Sequence, residues 1–211
     1  MSDKFPNLTV LHHPVIEHKL ARMRDVNTPH FQFQTLLEEI SIFLFYEASA
    51  ALETVPYPLD TPLEPLTGRR LKHEVLLVPI LRAGIGISSG ITKVWSEAVV
   101  GMIGMYRDHN TLQPVDYFLR LPANLGDMTT FLLDPMLATG GSAAAAAAKL
   151  KEKGARRLVL ITLIAAPEGV AHLAEQHPDM KIYTAALDRQ LNEKGYILPG
   201  LGDAGDRYFG V

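Results

Sequence analysis

The chain has 211 residues, a formal net charge of −3 and no cysteine. Its composition, 47% hydrophobic and 20% charged, is that of an ordinary globular protein, and its length suits one domain with a substantial core. The small negative charge argues against a nucleic-acid-binding or membrane-surface protein, while the absence of cysteine excludes disulfides, thiolate catalysis and zinc–thiolate sites.

The N-terminal residues 1–14 lack the basic region and following apolar run of a signal peptide. The most apolar stretch, residues 40–52, contains Glu47 and two serines, and it is too short and too polar to cross a bilayer. We therefore expect no membrane association. The absence of cysteine suits a reducing compartment, so we expect the protein to act in the cytoplasm.

A long amphipathic helix is predicted over about residues 30–54. Thr28 and Pro29 form a typical start, a capping hydroxyl followed by proline in the first turn. Its hydrophobic residues recur at three- and four-residue spacing and give one apolar face, made of Phe33, Leu36, Leu37, Ile40, Phe43 and Leu44. Four prolines, at positions 56, 58, 62 and 65, then end the helix and predict an irregular segment.

From residue 72 onward, short apolar runs alternate with helical segments. The runs are rich in β-branched residues and show no polar alternation, as expected of strands buried on both faces. Strands are predicted over residues 74–81, 98–106, 129–134, 158–165 and 181–187, and helices over residues 86–97, 142–153 and 167–176. This order indicates an α/β fold with a doubly wound, mainly parallel sheet. Between residues 107 and 128, alternating Tyr117, Leu119 and Leu121 predict a projecting antiparallel β-arm.

Residues 134–142 carry the clearest chemical signal, because in open α/β sheets ligands bind beyond the carboxyl ends of the strands. A buried strand delivers Asp134, and after a short loop a helix opens with Thr139, Gly140, Gly141 and Ser142. The glycines let backbone amides approach an anion, the hydroxyls add donors, and the helix N-terminus is partly positive. The segment favours a phosphate site, although a plain turn with Ser142 as the helix N-cap fits the same residues.

The loop after the first predicted sheet strand, residues 81–86, also places glycines between a strand and a helix. A dinucleotide fingerprint would need a third glycine where Ser89 stands, and Asp108 is a poor match for the acid that binds ribose. A nicotinamide-dependent dehydrogenase is therefore a weak alternative. The absence of a Gly-Lys-Ser/Thr ending in residues 134–142 excludes the P-loop of nucleotide triphosphatases.

Residues 131–142 resemble the signature of type I phosphoribosyltransferases, which bind 5-phosphoribosyl 1-diphosphate (PRPP). Those enzymes usually carry two adjacent acids at the strand exit, and Pro135 in the second place is typical of the uracil branch. Residues 81–84 (LRAG) and 196–207 (YILPGLGDAGDR) are similar to the same branch. The resemblance spans about residues 11–211, and the chain is identified as a member of the uracil phosphoribosyltransferase family.

The resemblance implies that uracil and PRPP are converted to UMP and diphosphate by one type I domain, residues 1–211. A helical hood comes from about residues 1–70, together with a C-terminal loop, residues 193–211. The implied PRPP ligands are Arg82, Arg107, Asp134, Pro135, Met136, Leu137, Ala138, Thr139, Gly140, Gly141, Ser142 and Asp203. The implied uracil contacts are Ile197, Gly202, Asp203 and Ala204. The residues implied in catalysis are Asp134, Arg107 and Asp203, of which Asp203 orients or deprotonates the base.

By the same resemblance, the cofactor is one Mg²⁺ ion held mainly through PRPP, without a dedicated protein site. The family forms dimers or higher oligomers and GTP activates some members, so a homo-oligomer is expected and GTP is a candidate effector. Two other functions fit the same scaffold: transfer to another base, such as a purine or orotate, and RNA-binding regulation. A regulator should show a basic face, against which the net charge of −3 and the dispersed charges argue.

Overall fold

The computed structural model describes residues 4–107 and 114–211, without the side chains of residues 106, 107 and 114–116. The described strands are β1 (Leu8–Val10), β2 (Thr54–Asp60), β3 (Pro65–Leu71), β4 (Val75–Leu81), β5 (Val99–Val100), β6 (Met102–Arg107), β7 (Pro114–Arg120), β8 (Thr129–Leu133), β9 (Met136–Leu137), β10 (Arg157–Ala165), β11 (Lys181–Leu187), β12 (Gln190–Leu191) and β13 (Ile197–Leu198). The described helices are α1 (Pro14–Arg24), α2 (His30–Ser49), α3 (Ile85–Val94), α4 (Gly141–Glu152), α5 (Pro167–Gln176) and α6 (Ala204–Phe209). None of these described helices is both long and apolar enough to cross a membrane.

Most strands join one sheet in the order β1–β11–β10–β8–β4–β6–β7. Neighbours along this order run parallel, except that β6 and β7 form an antiparallel pair. Two short strands extend the sheet, β5 beside β4 and β9 beside β10. The predicted mainly parallel α/β sheet is therefore confirmed, and the predicted strand 98–106 is divided at Gly101 into β5 and β6.

Helices cover both faces of the sheet. One hydrophobic cluster packs α1, α2 and α3 against the first face, and a second cluster packs α4 and α5 against the opposite face. Successive residues of β8 enter different clusters: Phe131 and Leu133 enter the first and Leu132 the second. Because side chains alternate between the faces of a strand, a strand covered on both sides has no place for a charged residue until it leaves the sheet.

The N-terminal region differs from the prediction, which lacked β1 and α1 and assigned Thr28 as the cap of the next helix. Pro29 occupies the N-cap position of α2, and no side chain caps this helix. The Thr28 hydroxyl instead donates a hydrogen bond of 2.5 Å to the Arg22 carbonyl and closes the loop after α1. The predicted cap is therefore wrong, and α2 ends at Ser49 rather than near residue 54.

The proline-rich segment is a β-hairpin, so the predicted irregular segment is also wrong. Strands β2 and β3 pair antiparallel from Thr54 with Leu71 to Asp60 with Pro65. Pro56 and Pro58 stand two residues apart, and their missing N–H groups therefore point to the same side of β2. A two-stranded sheet has a free edge on each strand, where proline removes no ladder hydrogen bond.

The predicted antiparallel arm corresponds to β6 and β7, which pair from Met102 with Arg120 to Arg107 with Pro114. A register shift interrupts the pairing between Gly104 and Met105. The antiparallel pairing is confirmed for these strands. The tip of the predicted arm, residues 108–113, lies outside the described residues.

Replacing Phe131 by alanine should lower the free energy of unfolding by about 3–5 kcal/mol, because the lost ring leaves a cavity at the centre of the sheet. Phe131 is fully buried and meets the Phe45 ring edge-on, with centroids 5.3 Å apart. Urea unfolding followed by circular dichroism measures the change. Phe31→Ala is the matched control, because that ring is 58% exposed and should contribute about 0.5 kcal/mol or less. Equal losses in both variants would contradict the assigned core.

Candidate functional site

The loops after β4 and β8 leave the same edge of the sheet. The two strands are parallel neighbours, with Pro79 paired to Leu133 at their last register position. The first charged residues beyond them are Arg82 and Asp134. The structure therefore brings the two predicted PRPP-binding loops to a common edge, where open α/β sheets bind their ligands.

The predicted phosphate site lies at the start of α4. Gly140 has a positive φ of 81° and is the N-cap of this helix, which begins at Gly141. A Cβ atom at Gly140 would lie 2.7 Å from the Gly169 carbonyl oxygen, so only glycine fits this turn. The prediction that residues 139–142 open a helix is confirmed, whereas the alternative with Ser142 as the N-cap is wrong.

The N-terminus of α4 borders a cavity of about 90 Å³. No side chain caps this helix, and the first-turn N–H groups of a helix carry partial positive charge that favours anions. The cavity is lined by the strand exit, the loop and the first turn, namely Asp134, Met136, Leu137, Ala138, Thr139, Gly140, Ser142 and Ala143. An acid and a helix N-terminus therefore share one small cavity, as the sequence predicted.

The Asp134 carboxyl lines this cavity and keeps partial contact with solvent. Surrounding protein atoms displace most of its water, and this desolvation raises the pKa of Asp134 to about 7. A long hydrogen bond of 3.5 Å, donated by the Met136 N–H to Oδ1, opposes the shift and lowers the pKa. A carboxyl with a near-neutral pKa beside a helix N-terminus, in a cavity of this kind, is a candidate functional group.

Arg82 follows β4 through a cis peptide bond with Leu81. Its side chain is 63% exposed and lies 3.8 Å from the Asp206 carboxylate. The guanidinium also lies over the Phe209 ring, 5.5 Å from its centroid. Both partners belong to α6, so the loop after β4 meets the C-terminal segment. An exposed guanidinium of this kind suits phosphate oxygens, which it can bind at two points.

The C-terminal loop, residues 193–211, lies beside both of the other loops. Gly195 approaches the phosphate site, because a Cβ atom there would lie 3.8 Å from the Thr139 methyl carbon. Gly205 approaches the loop after β4, because a Cβ atom there would lie 3.8 Å from the Ala83 Cβ. Three segments that are distant in sequence therefore meet at one edge of the sheet.

Of the four predicted uracil contacts, two are buried and two are exposed to solvent. Ile197 and Ala204 are only 3% and 2% exposed, and their side chains belong to the first hydrophobic cluster. Gly202 and Asp203 are exposed, and Gly202 has a φ of 81°. Asp203 caps α6 by accepting a hydrogen bond of 2.9 Å from the Asp206 N–H. A ligand here would meet the Asp203 side chain and the backbone, whereas the side chains of Ile197 and Ala204 are committed to the core.

Arg107 is the last residue of β6, at the base of the antiparallel arm. β6 runs parallel to β4 with Gly104 level with Leu81, so the backbone of Arg107 leaves the sheet beside the end of β4. Its side chain lies outside the described part of the chain. The predicted contact between Arg107 and PRPP stays a prediction.

Sequence reasoning overlooked the residues that hold the C-terminal loop, which are Arg24, Asp188 and Arg207. Arg24 and Asp188 form a forked ion pair, with 2.5 Å between Nη2 and Oδ1. Arg207 donates hydrogen bonds to backbone carbonyls at the end of α1 and in the loop. Asp188 directly follows β11 as Asp134 follows β8, so an acid at a strand exit was a usable signal. The two arginines carry no comparable signal.

The chain matches the family described as uracil phosphoribosyltransferase over residues 10–211, which include all three segments of the site. It belongs to the uracil phosphoribosyltransferase family. The uracil phosphoribosyltransferase of Symbiobacterium thermophilum is 50% identical to it over 205 residues, which are 97% of this chain and 98% of that protein. The family assignment made from the sequence motifs is confirmed.

Solved structures extend this result to the fold. The AQ2163 protein from Aquifex aeolicus has a TM-score of 0.91 at 35% identity, over 97% of this chain and 98% of that one. An adenine phosphoribosyl transferase from Trypanosoma brucei, solved with AMP, pyrophosphate and ribose-5-phosphate, has a TM-score of 0.62 at 11% identity, over 94% and 89% of the two chains. At 11% identity the similarity concerns the fold alone, and it confirms the predicted type I phosphoribosyltransferase fold.

The glycines after β4 have a packing role in this member of the uracil phosphoribosyltransferase family. A Cβ atom at Gly84 would lie 2.4 Å from the Leu133 carbonyl oxygen, and one at Gly86 would lie 2.5 Å from the Tyr208 ring. These glycines let the turn into α3 lie directly against β8 and α6. The dinucleotide fingerprint considered for this loop is therefore set aside.

The raised pKa of Asp134 predicts a pH-dependent stability. The pKa is about 7 in the folded protein and about 3.9 in an unfolded chain, so between these values the folded state binds more protons. The free energy of unfolding should therefore fall as the pH rises from about 4 to about 7, by at most about 4 kcal/mol from this group. Urea unfolding at about pH 5 and about pH 8 checks this. Asp134→Asn should show a smaller fall than the wild type, and an unchanged fall would contradict the assigned pKa.

Proposed function

We propose that the protein transfers the phosphoribosyl group of PRPP to uracil, forming UMP and releasing diphosphate. The observation that carries this proposal is the meeting of three segments at one edge of the sheet, residues 81–86, 134–142 and 193–211. All three lie within the region that matches the uracil phosphoribosyltransferase family. Each segment serves a different part of the substrate pair.

PRPP lies across the edge of the sheet with its 5-phosphate at the start of α4. This placement is supported by the uncapped helix N-terminus and by Gly140, where a side chain would clash. Asp134 lines the same cavity and accepts hydrogen bonds from the ribose hydroxyls. Arg82, with Arg107 as the second predicted arginine, binds the diphosphate, because a guanidinium stays charged and binds phosphate oxygens at two points.

One Mg²⁺ ion accompanies PRPP. Mg²⁺ prefers oxygen ligands and commonly binds through substrate phosphates together with one or two carboxylates. The exposed Asp206 carboxylate in the first turn of α6 faces Arg82 and fits this preference as a single protein ligand. It would hold the ion together with the diphosphate oxygens, which would be the main ligands. When bound, the ion supplies positive charge that neutralises the departing diphosphate.

The reaction is a displacement at C1 of the ribose. The bond from C1 to the diphosphate oxygen breaks, the bond from uracil N1 to C1 forms, and N1 loses its proton. The transition state carries positive charge over C1 and the ring oxygen, as in glycoside chemistry. The protein contributes position and electrostatic stabilisation. Arg82 stabilises the leaving diphosphate, Asp134 fixes the ribose, and Asp203 orients the base or accepts its proton.

Backbone groups of the C-terminal loop select the base. Uracil offers an acceptor at O4 and a donor at N3, and cytosine presents the inverted pattern. Within residues 200–205 the side chains of Leu201 and Ala204 are buried in the core, as is the nearby Ile197, which leaves Asp203 and the main chain of this segment to face a base. A rigid pair of one N–H and one C=O accepts uracil and rejects cytosine by about 10⁴-fold, because mismatched buried groups lose their hydrogen bonds.

The protein acts as a homo-oligomer in the cytoplasm. No residue of the β2–β3 hairpin is buried, and Tyr57 and Leu66 are 45% and 53% exposed. A two-stranded hairpin is marginally stable on its own, so a second copy of the chain is the partner that we expect to cover it. GTP is the candidate effector, and adding GTP to the activity assay tests that role.

Incubation with PRPP, Mg²⁺ and one nucleobase at a time tests the proposed function. We expect UMP and diphosphate with uracil, and no nucleotide with cytosine, adenine, hypoxanthine or orotate. A nucleotide formed from another base, with none from uracil, would contradict the proposal. RNA binding without any nucleotide formation would favour a regulator on the same scaffold.

Asp134→Asn should keep the fold and lower kcat/KM for PRPP by about 10- to 100-fold, because hydrogen bonds to a charged group contribute about 1.5–3 kcal/mol. In the wild type, kcat/KM should rise between about pH 6 and about pH 8 as Asp134 ionises, and this step should be absent in the variant. Asp127→Asn is the matched control, because Asp127 is exposed and precedes β8 rather than following it. Near-normal activity of Asp134→Asn would disprove the assigned role.

A further inference from the structure

The C-terminal loop is tied to the end of α1 by a forked ion pair. Arg24, the last residue of α1, places Nη2 2.5 Å from Asp188 Oδ1 and Nη1 2.8 Å from Asp188 Oδ2. The Asp188 side chain is only 5% exposed and follows β11 directly. Guanidinium and carboxylate are planar groups that match at two points, so the pair fixes orientation as well as distance.

Both members of this pair also bind Gly200. Arg24 Nη1 donates a hydrogen bond of 2.6 Å to the Gly200 carbonyl, and the Gly200 N–H donates one of 2.9 Å to Asp188 Oδ2. One ion pair therefore fixes the peptide groups on both sides of Gly200. The turn depends on glycine, because φ is 68° and a Cβ atom would lie 2.2 Å from the Ile197 carbonyl oxygen.

A second arginine holds the same junction from the loop side. Arg207 Nη1 donates hydrogen bonds of 2.8 Å to the carbonyls of Met23 and Leu201, and Nη2 donates one of 2.6 Å to the Asp25 carbonyl. Its guanidinium lies 4.6 Å from the centroid of the Phe33 ring. The backbone that carries residues 202 and 203 is therefore held to α1 from both ends.

We infer that Arg24 and Asp188 are positioning residues for the base: they set the backbone path of residues 200–203 and, through it, the fit of uracil. This inference rests on the proposed function. The phosphate cavity is lined by neither side chain, and the two bind Gly200, which lies between the implied uracil contacts Ile197 and Gly202. The pair therefore acts mainly on the binding of uracil, because Asp203 is the only implied PRPP ligand in this segment.

Position, rather than stability, is the main contribution of this pair. Removing two charges from water costs free energy that offsets their mutual attraction, so a buried ion pair adds little net stability compared with neutral residues. The backbone N–H and C=O of Gly200 are polar groups whose direction the pair fixes within hydrogen-bond geometry. Recognition of uracil by backbone groups requires that direction to be constant.

Arg24→Lys tests the role, because lysine keeps the charge but is a point charge that cannot reproduce the fork onto Asp188 together with the bond to Gly200. We expect KM for uracil to rise about tenfold and KM for PRPP to change by less than about twofold. Arg22→Lys is the matched control, because Arg22 is exposed and lies on the same turn of α1. The control should change neither KM.

A neutral double variant, Arg24→Met with Asp188→Asn, separates position from stability. It removes both charges but keeps an acceptor for the Gly200 N–H, so unfolding by urea should resemble that of the wild type while KM for uracil stays raised. Amide hydrogen exchange of residues 200–203 gives a readout that needs no activity. Exchange should be faster in Arg24→Lys and in the double variant, and unchanged in Arg22→Lys.

The failure of this inference can be distinguished from the failure of the proposed function. If the wild type formed no nucleotide, the proposed function would be wrong. Unchanged hydrogen exchange in Arg24→Lys and in the double variant would overturn the positioning role, whatever the activity. Equal rises in KM for both substrates, or faster exchange with an unchanged KM for uracil, would also overturn it. So would failure of both variants to fold, because the pair would then be required by the fold as a whole.

Discussion

The burial of the central strands on both faces of the sheet is the constraint on which the rest of the structure depends. Because β4 and β8 must be free of charge along their length, the first charged side chains appear where these strands leave the sheet. Parallel pairing then gathers the strand exits at one edge. Arg82 and Asp134 are such exit residues, and Asp188 follows β11, which lies beyond β10 in the same sheet, in the same way. The site is therefore a direct consequence of how the sheet is covered.

The features that follow from this constraint could be predicted from the sequence. Apolar, β-branched runs identified the parallel strands, and the bounds of α5 and β11 agree with the prediction at both ends. The glycine turn at the predicted phosphate site was also predictable, because what it requires is local. Gly140 adopts a left-handed backbone conformation between the end of a strand and the start of a helix. A local requirement of this kind leaves its signal within a few residues.

The features that depend on distant contacts could not be predicted. The four prolines after α2 predicted an irregular segment. In the structure, prolines are compatible with the free edges of the β2–β3 hairpin. Thr28 has the residue type of a helix cap, but the chain folds so that its hydroxyl meets the Arg22 carbonyl instead. The Arg24–Asp188 pair joins residues 164 positions apart, and one sequence carries no signal for such a partnership. Tertiary packing decides these cases.

The tie between α1 and the C-terminal loop bears on how such proteins can be recombined. Transplanting residues 193–211 alone from a homologue would set foreign backbone against the Arg24 guanidinium, and a homologue with another residue in place of Arg207 would also lose the hydrogen bonds to the carbonyls at the end of α1. A chimaera that keeps the loop in its native position must take both segments, the end of α1 and the loop, from the same parent. In evolution, too, substitutions in the two segments are expected to be accepted together rather than one at a time.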